Sequence, residues 1–150
     1  MIDFLPEATT GVMLTNARSR AVIARDVEVA VTRTARRRGL LKRTSLAPDS
    51  ALILAPCFVV HTAFMRFAID VVFVDSGGRV RQIVRHMRPW RIAASRGAFA
   101  TIEFAAGTVD AIGLEVGDRL CLGVCMSMKM SPARAADAHF AARGQTPSAA

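Results

Sequence analysis

The sequence predicts a mainly β, single-domain α+β fold: a compact barrel or sandwich of about seven or eight short strands with two small helices. Three observations carry this. Short β-branched or alternating apolar stretches recur between residues 11 and 123, separated by turn residues. Within that span only two stretches pattern as helix or helical turn, near 33–40 and 108–114. Finally, 150 residues at 52% hydrophobic content can close one core without disulfide staples.

Taken in order, "GVMLTN" (11–16) and "RAVIA" (20–24) read as strands around a polar turn. "DVEVAV" (26–31) alternates acid with valine, as a half-buried strand does. The pattern then changes. In "TRTARRRGLLKR", Thr32 or Thr34 can cap a short helix over 33–40 that Gly39 stops. "ALILAP" (51–56) is apolar throughout and reads as a buried strand ended by Pro56. "IDVVFVD" (69–75), β-branched and aromatic, is followed by "SGG" as a hairpin turn and by "RVRQIVRHM" (79–87) as the return strand. "ATIEFAAG" (100–107) and "GDRLCLG" (117–123) supply the last strands. Residues 1–19 read as a leader and first strand, 20–123 as the domain, and 124–150 as an alanine-rich tail with a short helix at 132–142.

Charge and cysteine usage narrow the function classes. The net charge of +8 is almost wholly arginine: 18–43 carries nine basic residues against Asp26 and Glu28, and 79–96 carries six arginines and no acid. Such a surface attracts anionic ligands, acidic proteins or nucleic acid, and a solvated arginine face is the plainer alternative. No apolar run approaches the ~20 residues of a membrane-spanning helix, so no membrane partner is expected. Three cysteines imply no disulfide framework, and the start lacks a secretory pattern, so a cytoplasmic location is expected. Cys121 and Cys125 are not in a Cys-x-x-Cys arrangement, and no phosphate-binding glycine loop is present.

Several motifs fall in one order: "RRRGLLKRTSL" (36–46), "PCFVVHTAFMRFAIDVVFVD" (56–75), "PWR" (89–91), "IEFAAG" (102–107) and "GD" (117–118). Together they resemble the DUF192 family, also called UPF0127, across about residues 20–123. The matching positions are Arg36, Gly39, Leu40, Arg43, Met65, Ile69 and Asp70. "HTAFM" replaces the aromatic-Trp-Met sequence of many members and resembles a branch with a cysteine just upstream, matched here by Cys57. The resemblance implies a compact β fold, exported relatives, a regular acid at Glu103, and no established reaction, so function must be argued from the site.

Asp70 opens a strand apolar on both faces, where a free carboxylate is costly, so a guanidinium partner is expected from Arg36, Arg43 or Arg66. That pairing would be either a structural lock or part of an anion site. Cys57, His61 and Met65 stand four apart, which on a helix would suit a soft metal ion. Pro56 and the valines oppose a helix there, and neither a metal nor a cofactor is expected. Cys57 and His61 remain candidates for a nucleophilic dyad if a tight turn brings them together. Glu103 could pair with Asp70 for acid–base work, or form a salt bridge. Trp90 could line an opening or cap a core. Gly39, Met65, Asp70, Gly107 and Gly117 read as scaffold, and Met126, Met128 and Met130 as a strand end or tail.

The expected function is therefore binding of a small anionic or polar ligand in an arginine-lined cleft, with Arg36, Arg43, His61, Asp70 and Trp90 as ligand-binding candidates. One alternative is a hydrolase using His61 with Asp70 or Glu103. The other is a basic interaction module for nucleic acid or an acidic protein.

Overall fold

The computed structural model describes residues 4, 5 and 11–124; the expectations for the tail, including Cys125, Met126, Met128 and Met130, lie outside them. The described chain is built from β1 (Val12–Asn16), β2 (Val22–Ala24), β3 (Asp26–Ala30), α1 (Arg33–Arg38), β4 (Ser50–Leu54), β5 (Val59–His61), β6 (Ile69–Val74), β7 (Val80–Met87), β8 (Ile92–Ala94), β9 (Ala100–Ala105), α2 (Thr108–Ala111) and β10 (Leu120–Val124). The strands form a five-stranded sheet β3-β4-β9-β6-β7, a three-stranded sheet β10-β1-β2 and a ribbon β5-β8. This is a mainly β, sandwich-like architecture without a closed barrel. It has ten strands where seven or eight were expected. The additions, β5 and β8, are three residues each, too short to display a period of two.

The three central strands of the five-stranded sheet, β4, β9 and β6, are buried on both faces. Alternation along β6 divides its side chains between two cores. Val72 and Val74 join Ile53, Ile102 and Phe104 on one face, which β1, β2 and β10 cover through Val12, Leu14, Ile23 and Leu120. Ile69, Val71 and Phe73 join Leu52 and Leu54 on the other, beneath Leu40, Leu46, Val60 and Met65. Each such fully buried aliphatic or aromatic side chain contributes about 1.5–3 kcal/mol.

β3 and β4 pair in parallel, which requires a crossover, and α1 provides it. Thr32 caps α1 as its Oγ1 accepts from the Ala35 N–H at 3.1 Å, and the Gly39 N–H closes the helix on the Ala35 carbonyl. The last turn holds Arg36, Arg37 and Arg38, where the helix C-terminus favours positive charge. In the β6–β7 turn Asp75 Oδ1 accepts from the N–H groups of Gly77 and Arg79, both at 3.0 Å. Gly78 follows with φ +78°, and a Cβ there would collide with the Leu120 carbonyl and the Phe4 ring. That contact seats the hairpin on β10.

Candidate functional site

The register of β9 places the two buried acids on opposite faces of the sheet. Glu103 lies between Leu52 of β4 and Val71 of β6, both in the core beneath α1. Asp70 lies opposite Phe104, in the core that faces β1 and α2. The expected Asp70–Glu103 carboxylate pair is therefore corrected: a full sheet separates the two side chains.

Nor does an arginine answer Asp70. Its side chain is 0% exposed, and three backbone N–H groups donate to its two oxygens. Oδ1 accepts from His86 at 2.8 Å, and Oδ2 accepts from Gly107 and Val109 at 3.0 Å each. His86 sits at φ +48° in β7, where the register with β6 shifts between Ile69 and Val71. Asp70 thus plugs a bulge in β7 and ties it to the start of α2. Backbone donors repay the burial of this carboxylate as a guanidinium would have, and the sequence does not distinguish the two. Arg36 and Arg43 lie on the other side of the sheet.

On that side α1 and the β5 segment flank an open cleft of about 330 Å³. Arg33, Arg36, Arg37 and Arg38 line one wall, Cys57 and Val59–His61 the other, with Leu40, Leu54 and Met65 between. Glu103 closes the bottom. It is 5% exposed, and its Oε2 is buried with no hydrogen-bond partner among the described residues. Burial raises its carboxyl from the ordinary range to about 7, although the Arg43 charge acts in the opposite direction.

The arginines divide by role. Arg36 is turned inward, where its Nη1 donates to the Val31 carbonyl and, at 3.1 Å, to the Ala55 carbonyl. It fastens α1 to the ends of β3 and β4. Arg43 is salt-bridged to Glu28 and is not part of the cleft lining. Arg33 and Arg37, which the sequence reading did not single out, are exposed on the cleft wall. Cys57 and His61 share the cleft, but the Cys57 thiol donates to the Val59 carbonyl at 3.1 Å, so its partner is backbone rather than imidazole. Among the described residues no three His, Cys, Asp or Glu side chains gather as a metal site.

Comparison with known proteins places this arrangement. The model of the DUF192 family, described as "Uncharacterized ACR, COG1430", matches residues 13–122. The chain belongs to the DUF192 family. A UPF0127 protein of Pyrococcus furiosus is 42% identical over 62 residues, covering 41% of this chain and 53% of that protein. A UPF0127 protein of Thermococcus sibiricus is 39% identical over 62 residues, covering 41% and 40%. The chain thus spans about half the length, or less, of these curated relatives. Among solved structures, a proposed transcription regulator from Sinorhizobium meliloti superposes with a TM-score of 0.64 at 30% identity, covering 73% of this chain and 89% of its own. A protein of unknown function from Novosphingobium aromaticivorans matches with a TM-score of 0.64 at 25% identity, covering 73% and 81%.

Two further features of this DUF192 chain lie away from the cleft. Asp118, from the "GD" motif, is buried and accepts from Asn16 Nδ2 at 2.8 Å, the Glu115 N–H at 3.1 Å and Arg18 Nε at 2.5 Å. Those bonds, the Arg18 contact foremost, hold its carboxyl well below the usual range and pin the β1–β2 turn to β10. Trp90 neither lines the cleft nor caps a core: it is exposed beside Phe64, held by a hydrogen-bond hub at Thr62. No sequence signal marks Thr62 as a hub. Gly39, Gly107 and Gly117 all have positive φ, and Met65 is buried against the cleft.

Proposed function

We propose that this DUF192 protein binds a small anionic or polar ligand in the cleft between α1 and β5. The observation that supports it most is the buried, unpartnered Oε2 of Glu103 at the bottom of an arginine-lined opening. A buried polar atom without a partner is costly unless something else satisfies it. A ligand with a donor for Glu103 and an anionic group for Arg33 and Arg37 fits both ends, with Leu40, Leu54 and Met65 against its carbon skeleton. Small hydroxy acids and amino acids have that form, and the cleft volume lies at the small end of ligand pockets.

Malate and succinate separate the two requirements, since both are anionic and only malate carries the hydroxyl donor. In titration calorimetry at pH 8, malate is expected to bind more tightly than succinate, and Glu103→Ala is expected to erase the difference. Binding of both acids unaffected by Arg33→Ala/Arg37→Ala would overturn the cleft as the site.

A hydrolytic reading keeps one of its two residue pairs. His61 and Glu103 line the same cleft, whereas the Asp70 carboxylate is held by backbone on the far side of the sheet. Turnover of an ester substrate lost in His61→Ala with folding intact would support that reading.

A further inference from the structure

The β5–β8 ribbon ends in an apolar tip that plays no part in either core. Phe64 is 71% exposed, Trp90 60% and Ile92 77%. The Phe64 and Trp90 rings meet edge to face at 4.7 Å between centroids, and Ile92 pairs with His61 two residues further along the ribbon. Val59 continues the exposed face opposite Ala94. Both aromatics sit in left-handed backbone, with φ +64° and +63°, an outlying conformation for bulky residues.

Buried Thr62 holds them there. Its N–H donates to the Arg91 carbonyl at 2.9 Å, and its Oγ1 donates to the Arg88 carbonyl at 2.7 Å and accepts from the Arg91 N–H at 2.9 Å. Its carbonyl accepts from Met65 at 3.2 Å and from Trp90 at 3.0 Å. The fold thus maintains a strained pair of turns whose outcome is two aromatic side chains in water. Backbone strain of this kind clusters at functional positions.

We propose that Phe64, Trp90 and Ile92 dock the protein peripherally on an anionic lipid surface, with Arg66, Arg88 and Arg91 meeting the headgroups. Charge selects this occupant. Residues 56–69 and 76–102 contain no acid, and Arg66, Arg88 and Arg91 are exposed and in no ion pair among the described residues. A second copy placed face to face would set arginines against arginines. Residues 125–150 carry Lys129, Arg134 and Arg143 against Asp137, the wrong sign for this tip. Nucleic acid would use open ring faces for stacking, whereas here the rings meet each other and an equally exposed isoleucine stands beside them. Aromatic and aliphatic protrusions ringed by arginine suit the acyl–headgroup boundary, where apolar burial and anionic attraction act together. The expectation of no membrane partner rested on span length, and a surface contact needs no span.

Trp90 is the only tryptophan, so its emission reports the contact directly. With phosphatidylcholine vesicles containing phosphatidylglycerol, the emission is expected to shift to the blue and to be quenched by brominated acyl chains. With pure phosphatidylcholine it is expected to stay put. Phe64→Ser/Ile92→Ser, whose fold is checked by circular dichroism, is expected to lower partitioning at least tenfold, as is Arg88→Gln/Arg91→Gln. No shift on anionic vesicles at low salt, or partitioning unchanged in both double variants, overturns the proposal. So does a larger Trp90 response to single-stranded DNA or polyglutamate than to anionic vesicles.

Discussion

Asp70 accepts a hydrogen bond from the backbone N–H of Val109 at 3.0 Å, and through it β6 holds α2 against the sheet. The same carboxylate takes up the N–H groups of Gly107 and His86. Asp70→Ala strips three backbone donors of their acceptor at once, at about 1–3 kcal/mol for each buried group left unsatisfied. We expect a loss of roughly 3 kcal/mol or more in urea denaturation. In a double-mutant cycle with Arg43→Ala the two losses should add within about 0.5 kcal/mol, because the residues lie on opposite faces. Strong coupling would restore the carboxylate–guanidinium pair that the sequence suggested.

Asp118 gives stability a definite acid dependence. Its carboxyl is held low in the folded state, first by the Arg18 hydrogen bond. A depressed carboxylate contributes stability that is present above its unfolded range, near pH 4, and is lost as pH falls through the folded value. Asp118→Asn should cost about 2 kcal/mol at neutral pH, from hydrogen bonds to a charged group. It should also flatten the fall in stability below pH 4. An unchanged acid limb would count against this assignment.

Glu103 has the opposite sign. Burial raises its carboxyl to about 7 in the folded protein, above its value in the unfolded chain. The folded state therefore binds more protons, and stability present below about pH 4.5 is lost as pH rises through about 7. A shift of that size corresponds to on the order of 3 kcal/mol. Glu103→Gln should be more stable than the parent at pH 8, and the advantage should shrink towards pH 4.5. Equal stability at pH 8 would show that the carboxylate is solvated or paired.

Thr62→Val keeps the shape of the side chain and removes its side-chain hydrogen bonds to Arg88 and Arg91 of the 88–91 turn. It should lower stability by about 1–3 kcal/mol, as expected when a buried bond is unmade. It should also alter Trp90 emission without added lipid, as the turn that sets the ring relaxes. Unchanged stability and emission would show that the turns hold themselves.

Local chemistry made most of the architecture legible. β6 declares itself through "IDVVFV", the β6–β7 turn through Asp75 and its glycines, and α1 through Thr32 and Gly39. β5 and β8 escaped because three residues carry no period, and their pairing joins segments about thirty residues apart. The candidate site was legible only in part: of the ligand-binding candidates Arg36 and His61 line the cleft, with Cys57 and Glu103 beside them, whereas Arg43, Asp70 and Trp90 lie outside its lining. Whether Asp70 and Glu103 face each other depends on the β6–β9 register, which distant pairing sets and neither local sequence records. Arg33 and Arg37 were overlooked for a related reason: nothing along the chain tells which arginines of a basic helix turn inward, as Arg36 does.

The most direct test of the cleft is the titration of the Glu103 side-chain carboxyl, followed by carbon-13 NMR in the free protein and with saturating malate or succinate. The carboxyl, whose Oε2 is buried without a partner among the described residues, should titrate near 7 in the free protein. Malate and succinate bring the same negative charge, so the hydroxyl that donates to the ionised form should leave the midpoint lower with malate than with succinate. A Glu103 that titrates near 4.5 and ignores malate would contradict the ligand-binding cleft.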